Sequence, residues 1–222
     1  MKISNVVHIS ALGANAHSSS SYARSKTEGE QAILENCPSA VILRPSVIFG
    51  VEDEFFNRFG AMARFFPVIP IVGGDTKFQP IYVGDVAEAV ARALSGKAKP
   101  GVTYEIGGPE IKSFKSLIEY VLQITERKRK ILNLGFLTGK FVAFLMQALT
   151  TLSFGLFPKI LRMTPDQVEL LKVDNIVSDS ARSEGRTLLE LNIQPQSFET
   201  IAPTYLYRYR KTGQYQAQRL GA

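Results

Sequence analysis

Two short runs constrain this chain more than anything else in it. Val6-Val7-His8-Ile9 and Ala40-Val41-Ile42-Leu43-Arg44 are apolar almost without interruption. A strand with one wet face alternates, whereas a strand covered on both faces does not, and double cover is the habit of parallel strands under crossover helices. Between the two runs, Tyr22 to Leu34 has helical spacing. Strand, helix and strand in this order predict a βαβ unit with a right-handed crossover.

The link into that helix holds the residues with chemistry. Ser10 stands at the tip of the first strand, and Tyr22 and Lys26 fall one helical turn apart on a shared face. A phenol beside an ammonium ionises more readily than its free pKa of about 10 implies, because nearby positive charge favours phenolate. With a hydroxyl to hold a substrate oxygen, the three make a candidate acid/base site for a carbinol. The spacing alone is not specific, since Tyr207 and Lys211 repeat it near the other end. Only the first copy follows a strand-like run and opens an amphipathic helix. The plain alternative is a surface Tyr and Lys on an ordinary helix.

Pro45 is expected to stop the second strand, and Pro45-Ser46-Val47-Ile48-Phe49-Gly50 to leave the sheet at its carboxyl edge, where ligands bind in open α/β sheets. The Phe-rich stretch Glu54 to Phe66 reads as a helix whose aromatic stripe is core or a partner face. Pro67 to Gly74 reads as a loop or short strand, Gln79 to Val83 as a strand, and Val86 to Leu94 as a helix with Asp85 as its N-cap. Val102 to Ile106 is another short strand. Gly107-Gly108-Pro109 is no phosphate loop, because Pro109 lacks a donor and no spaced third glycine follows. Ser113 caps a helix to about Thr125.

Beyond it the composition shifts. Arg127-Lys128-Arg129-Lys130 is basic, and Phe141 to Phe157 holds no charged residue, at the lower limit of a bilayer span. Its polar residues and the break at Gly155 and Pro158 favour a buried or interfacial helix pair. The basic cluster before it fits docking on an anionic membrane surface, and a helical lid over the α/β core fits equally well. Thr164-Pro165-Asp166-Gln167 has the form of a capping box, and Ser197 to Arg210 is a last helix-like segment. Its alternating Tyr and Arg have no nucleic-acid module beside them, so no nucleic acid is expected as partner. The tail from Gln214 is expected to be loose.

The expected fold is therefore α/β: a partial Rossmann-like, doubly wound parallel sheet holding the later strands only, then a mainly helical carboxyl-terminal region. The division is expected near residue 110, giving units 1–110 and 111–222. With 26 Lys plus Arg against 20 Asp plus Glu, the formal charge of +6 suits an anionic cofactor, an acidic partner or an anionic surface, and names none of them. Cys37 is the single cysteine, which excludes a disulfide framework, and no metal-ligand spacing is present with two histidines, His8 and His17. Met1 to Asn5 leads straight into a core-like strand, so no signal peptide is expected.

Val7-His8-Ile9-Ser10, Tyr22-Ala-Arg-Ser-Lys26, Arg44-Pro45-Ser46-Val47-Ile48-Phe49-Gly50 and Val83-Gly84-Asp85-Val86-Ala87 together resemble the extended and atypical short-chain dehydrogenase/reductase superfamily. Within it, the serine-rich link into Tyr22, the order Phe-Gly-Val-Glu-Asp-Glu-Phe-Phe-Asn-Arg-Phe and the fatty helices after residue 135 are similar to the complex I alpha subcomplex subunit nine group. The resemblance implies that Tyr22 is the acid/base and that Lys26 bonds the nicotinamide ribose and lowers the tyrosine pKa. It implies that Ser10 holds the substrate or carboxamide oxygen, and that the backbone at Pro45, Ser46 and Val47 meets the nicotinamide end. In that group the site is a holder for NADPH (NADP or NAD as cofactor), with complex I subunits as partners and turnover not implied. The family pattern opens with a strand, a glycine-rich turn and a helix N-terminus that seats the pyrophosphate. No such turn follows an early strand here, so a fragment or a late start is expected, with an open apolar sheet edge. Tight dinucleotide binding by these residues alone is not expected.

Three functions compete at this point. One is a complex I accessory-type protein with a structural role, peripheral on the cytoplasmic side of a bacterial inner membrane or the mitochondrial matrix side. Another is a catalytic NAD(P)-dependent oxidoreductase or epimerase acting on a carbinol through Ser10, Tyr22 and Lys26. The third is an interaction module that has lost its cofactor.

Overall fold

In the computed structural model, residues 5–153 and 156–211 are described. Strand β1 (Val7–Ile9) leads through the serine-rich link to helix α1 (Ser21–Asn36), and the chain returns as β2 (Val41–Pro45). The pair is parallel, with Val7 beside Val41 and Ile9 beside Leu43. The expected βαβ unit is present. Pro45 does not end the ladder early; it is the last paired residue, opposite Ile106 of β7 (Thr103–Ile106). A proline can sit there because the ladder takes its carbonyl, which accepts from the Leu12 N–H at 2.9 Å, and needs no N–H from it.

The sheet order is β1-β2-β7, all parallel. Successive side chains of β2 point to opposite faces. Val41 and Leu43 pack with Val86, Ala89 and Ala93 of α3 (Val83–Leu94), while Arg44 reaches the other way to Glu30 of α1. Helices thus cover both faces, which is why the strand shows no alternation in sequence. Leu43 and Ile42 are essentially inaccessible to water, and burial of each such side chain stabilises the fold by roughly 1.5–3 kcal/mol. A one-residue slip would turn Arg44 into the α3 face, so the register is fixed.

The segment after Pro45 leaves the sheet as expected and forms β3 (Ile48–Phe49), which pairs in parallel with β6 (Ile81–Tyr82). The Phe-rich stretch is helix α2 (Phe56–Phe65), followed by β4 (Val68–Val72) and β5 (Lys77–Phe78). Its stripe is core: Phe56, Phe59 and Met62 are buried, while Phe65 at the end of the helix is exposed. The short strand β8 (Lys112–Ser113) pairs antiparallel with β5, and helix α4 (Phe114–Ile124) starts at Ser113, whose hydroxyl accepts from the Ser116 N–H. Helices α2 and α4 share one apolar cluster with Ile69, Phe198, Tyr205 and Leu206. The cluster therefore draws on residues from both sides of position 110.

Two expectations need correcting. Asp85 is not an N-cap, because α3 begins at Val83 and Tyr82 occupies the cap position without a side-chain bond. Asp85 is buried in the first turn and accepts the Gln196 N–H at 2.8 Å. The uncharged stretch is not a helix pair over Phe141 to Phe157, but one helix, α5 (Phe136–Leu152), of which only Gly139 and Ala143 are buried. Gly139 is required where α5 presses against Val72 of β4, since a Cβ there would overlap the valine methyls. The basic cluster runs into an unanticipated strand, β9 (Lys130–Leu134), parallel to β4. Among the described residues, no helix is long and apolar enough to cross a membrane.

The capping box is real. Thr164 accepts from the Gln167 N–H, and Gln167 reaches back to the Thr164 N–H, starting helix α6 (Pro165–Leu170). The chain then passes through α7 (Asp179–Ser183), α8 (Phe198–Ile201) and α9 (Pro203–Leu206). In α9 the Tyr205 hydroxyl donates to Asp53 at 2.6 Å, so the last segment closes the α2 core. The tail from Gln214 lies outside the described residues.

Candidate functional site

A cleft of about 1100 Å³ opens at the carboxyl edge of β1 and β2. All six residues singled out from sequence line it: Ser10, Tyr22, Lys26, Pro45, Ser46 and Val47. The strand tip supplies Ser10, whose N–H donates to the Leu43 carbonyl at 2.8 Å, so its position is set by the ladder. Gly13, at φ +82°, turns the chain away from the strand in a conformation that favours glycine.

Ser10 is buried, at 3 % exposure, and among the described residues its hydroxyl has no hydrogen-bond partner. An unpaired buried hydroxyl costs about 1–3 kcal/mol. It lies in the wall of the cleft as an unpaired donor and acceptor.

Tyr22 is 45 % exposed. The Lys26 ammonium sits over its ring, 5.6 Å from the centroid, and not at the phenol oxygen. A cation over the ring face gains from the π quadrupole, but this placement does not drive ionisation. Burial raises the Tyr22 pKa above its ordinary value. The expectation that Lys26 lowers it is not met in this geometry.

Ser46 and Val47 are latched from outside the sheet. The Ser46 hydroxyl donates to the Asn175 side-chain oxygen at 2.7 Å, and the Val47 N–H donates to the same oxygen at 3.0 Å. The main chain at Pro45–Val47 is thus fixed, with the Ser46 N–H on the Ile106 carbonyl. These internal bonds fix the segment whose backbone the resemblance places at the nicotinamide end, and they use the Ser46 and Val47 N–H groups.

A second latch holds the mouth. Asp166 of α6 accepts from the Ser20 hydroxyl at 2.9 Å, the Ser21 N–H at 2.6 Å, the Ser21 hydroxyl at 3.1 Å and the Tyr22 N–H at 3.2 Å. It meets the orphan amides at the start of α1, on the turn that carries Tyr22. Burial alone pushes the Asp166 carboxyl up, but the four bonds together bring it below its ordinary range. Next to it, Glu169 accepts from Lys140 and Lys172, each at 2.8 Å, which hold it down to about 2. Behind α1, Glu30 and Arg44 form a two-pronged pair at 2.8 and 2.6 Å.

Asp166 and Asn175 were missed by sequence reasoning. The capping box around Asp166 was visible, but nothing in it tells that its acid serves another helix 145 residues away. Asn175 carries no local signal at all.

Parallel strands covered on both faces, with a cleft at their carboxyl ends, define a Rossmann-like α/β protein. Within that class, the family profile of the RmlD substrate binding domain matches residues 14–130, and the chain belongs to that family. It is 32 % identical over 215 residues to the mitochondrial NADH dehydrogenase [ubiquinone] 1 alpha subcomplex subunit 9 of Arabidopsis thaliana, covering 95 % of this chain and 52 % of that protein. The Mus musculus protein of the same name is 33 % identical over 210 residues, covering 94 % and 52 %. The chain spans about half the length of these relatives. Among solved structures, an NADPH-dependent quinone oxidoreductase complexed with NADPH from Escherichia coli superposes with a TM-score of 0.65 at 20 % identity, over 90 % of this chain and 65 % of that one.

Proposed function

We propose that this chain is part of a complex I accessory subunit that holds NADPH in a structural role. Ser10, Tyr22 and Lys26 fit the nicotinamide end of such a cofactor. The observation that supports the fit is that Ser10, Tyr22 and Lys26 line one cleft at the strand tips, with the Ser10 hydroxyl unpaired among the described residues. Lys26 and the Tyr22 phenol would hold the adjoining ribose, and the latched Pro45–Val47 segment would form the wall behind it. When bound, the nicotinamide supplies hydride chemistry.

The holding role is supported by the Tyr22–Lys26 geometry, with the ammonium over the ring and the phenol raised by burial. The partner reading rests on the two relatives named for a complex I subunit and on the exposed apolar face of α5, with Leu137 and Leu152 among its residues. That face beside a cationic segment supports a peripheral place on a membrane, on the matrix side of a mitochondrion or the cytoplasmic side of a bacterial inner membrane.

The test uses full-length protein from its own host. Denaturation should release close to one NADPH per chain, and the protein should co-purify with the respiratory NADH–quinone complex. A cofactor-free and wholly unassociated protein would overturn the proposal. The catalytic reading keeps one supporting observation, that Ser10, Tyr22 and Lys26 line the same cleft. It requires Tyr22→Phe to abolish turnover of a carbinol or ketone without disturbing the fold.

A further inference from the structure

We infer that the part of the cleft walled by Phe55, Phe59, Phe78 and Phe114 binds a hydrocarbon chain, so that the ligand beside the nicotinamide end is a long-chain carbinol or ketone and not a nucleotide-linked sugar. This rests on the placing of Ser10, Tyr22 and Lys26 at the cofactor end.

The wall is aromatic. Phe55, Phe59, Phe78 and Phe114 meet one another with centroids 5.5 to 5.9 Å apart. Met62 and Met163 extend the wall, and all six residues line the cleft. Edge-on rings and thioethers make a surface that adapts to an alkyl chain. Polar atoms come from Ser10, Ser46 and Asn175, while Glu54 and Arg58 flank the rings at the start of α2. A broad aromatic and thioether wall with a few hydrogen-bonding groups beside it matches an amphiphile.

The charges argue against a diphosphate. Four cations line the cleft, Lys26, Arg44, Arg58 and Lys172, together with four carboxylates, Glu54, Glu105, Glu169 and Asp174. Three of the cations are committed: Arg44 to Glu30, Arg58 to the carbonyls of Ile160 and Arg162, and Lys172 to Glu169. Helix N-termini are the other usual seat for phosphate. Here Asp166 occupies the start of α1, and Asp53 accepts the Asn57 N–H at the start of α2. Both are already filled by the chain's own carboxylates.

Radiolabelled farnesol is the probe, with UDP-glucose as competitor, on the full-length protein. Expected is saturable binding of one farnesol per chain, unchanged by a hundredfold excess of UDP-glucose. A diazirine-bearing farnesol should crosslink to the Phe55–Met62 stretch or to Met163. Met163→Asp, checked for folding by circular dichroism, should weaken binding about tenfold and leave the NADPH content as in the parent. Displacement by UDP-glucose, crosslinks confined to α5, or no saturable binding would each overturn the inference. Farnesol bound by a protein without NADPH would overturn the cofactor proposal alone.

Discussion

The Ser10 hydroxyl is the residue with most to reveal, because the fold places it in the cleft and gives it no partner. Ser10→Ala removes a buried polar group whose desolvation nothing repays. We expect the cofactor-free protein to become more stable by about 1 kcal/mol, read as a higher urea midpoint. NADPH retention should fall at the same time. A stabilised variant with undiminished cofactor would show that the hydroxyl does not face the nicotinamide. The Glu30–Arg44 pair behaves in the opposite way. Its Glu side chain is only 6 % exposed, and removing one partner of a buried pair leaves the other charge stranded. Arg44→Ala should cost about 3 kcal/mol, while Glu30→Leu combined with Arg44→Met should recover most of it. Equilibrium unfolding of the single and the double variant checks both expectations. Tyr22 and Lys26 show how far residue spacing goes. Their shared helical face was legible from the i and i+4 positions. The placement of the ammonium over the ring was not, because it depends on rotamers that spacing does not fix.

Between elements, the decisive contacts run from α6 to α1. Asp166 accepts four hydrogen bonds at the first turn of α1, so Asp166→Asn should loosen the helix start by about 1 kcal/mol. Amide exchange at Ser21 and Tyr22 would report it before global unfolding does. The folded pKa of Asp166 lies below its ordinary value. Its contribution is therefore complete above about pH 4 and is lost as pH falls through the folded value. The Glu169 link to Lys140 and Lys172 persists towards about pH 2. An acid titration followed at the Tyr22 amide should show the α1 start releasing in that window, and a release near neutral pH would contradict the latch. Elements of continuous pattern were the legible ones: β1, α1, β2, α2, α4 and the capping box of α6. The strand β9 was hidden inside a basic run, where Lys130 masks the pattern and only the pairing with β4 makes a strand of it. Asp85 misled because a carboxylate before a helix is most often a cap, and here the helix starts two residues earlier and uses the acid to hold Gln196.

For the whole molecule, the open question of surface is α5. One side of it, at Gly139 and Ala143, is committed to β4 and α6, and Phe141, Phe144 and Leu152 face outward. Phe141→Ser with Phe144→Ser should change stability by no more than about 0.5 kcal/mol, because both rings stay mostly exposed among the described residues. The same variant should lose association with anionic vesicles in a flotation assay, or with the respiratory complex on native gels. Unaltered association would move the docking surface elsewhere. The sequence identified this stretch as unusual from its lack of charge. Whether its apolar side turned inward was beyond reach, since a buried helix and an uncovered one share the same composition.

The Asp166 latch also sets an order of events. Ser20 and Asp166 lie on opposite ends of a long loop, and closing a loop of that length costs about 4 kcal/mol of chain entropy. Contacts so distant form late, after the local strand and helix pairs are in place. The turn that presents Tyr22 is therefore assembled near the end of folding, and it is the first to come apart when α6 lifts. Brief proteolysis in mild denaturant should accordingly cut between Ser18 and Ser21 while the sheet is still intact.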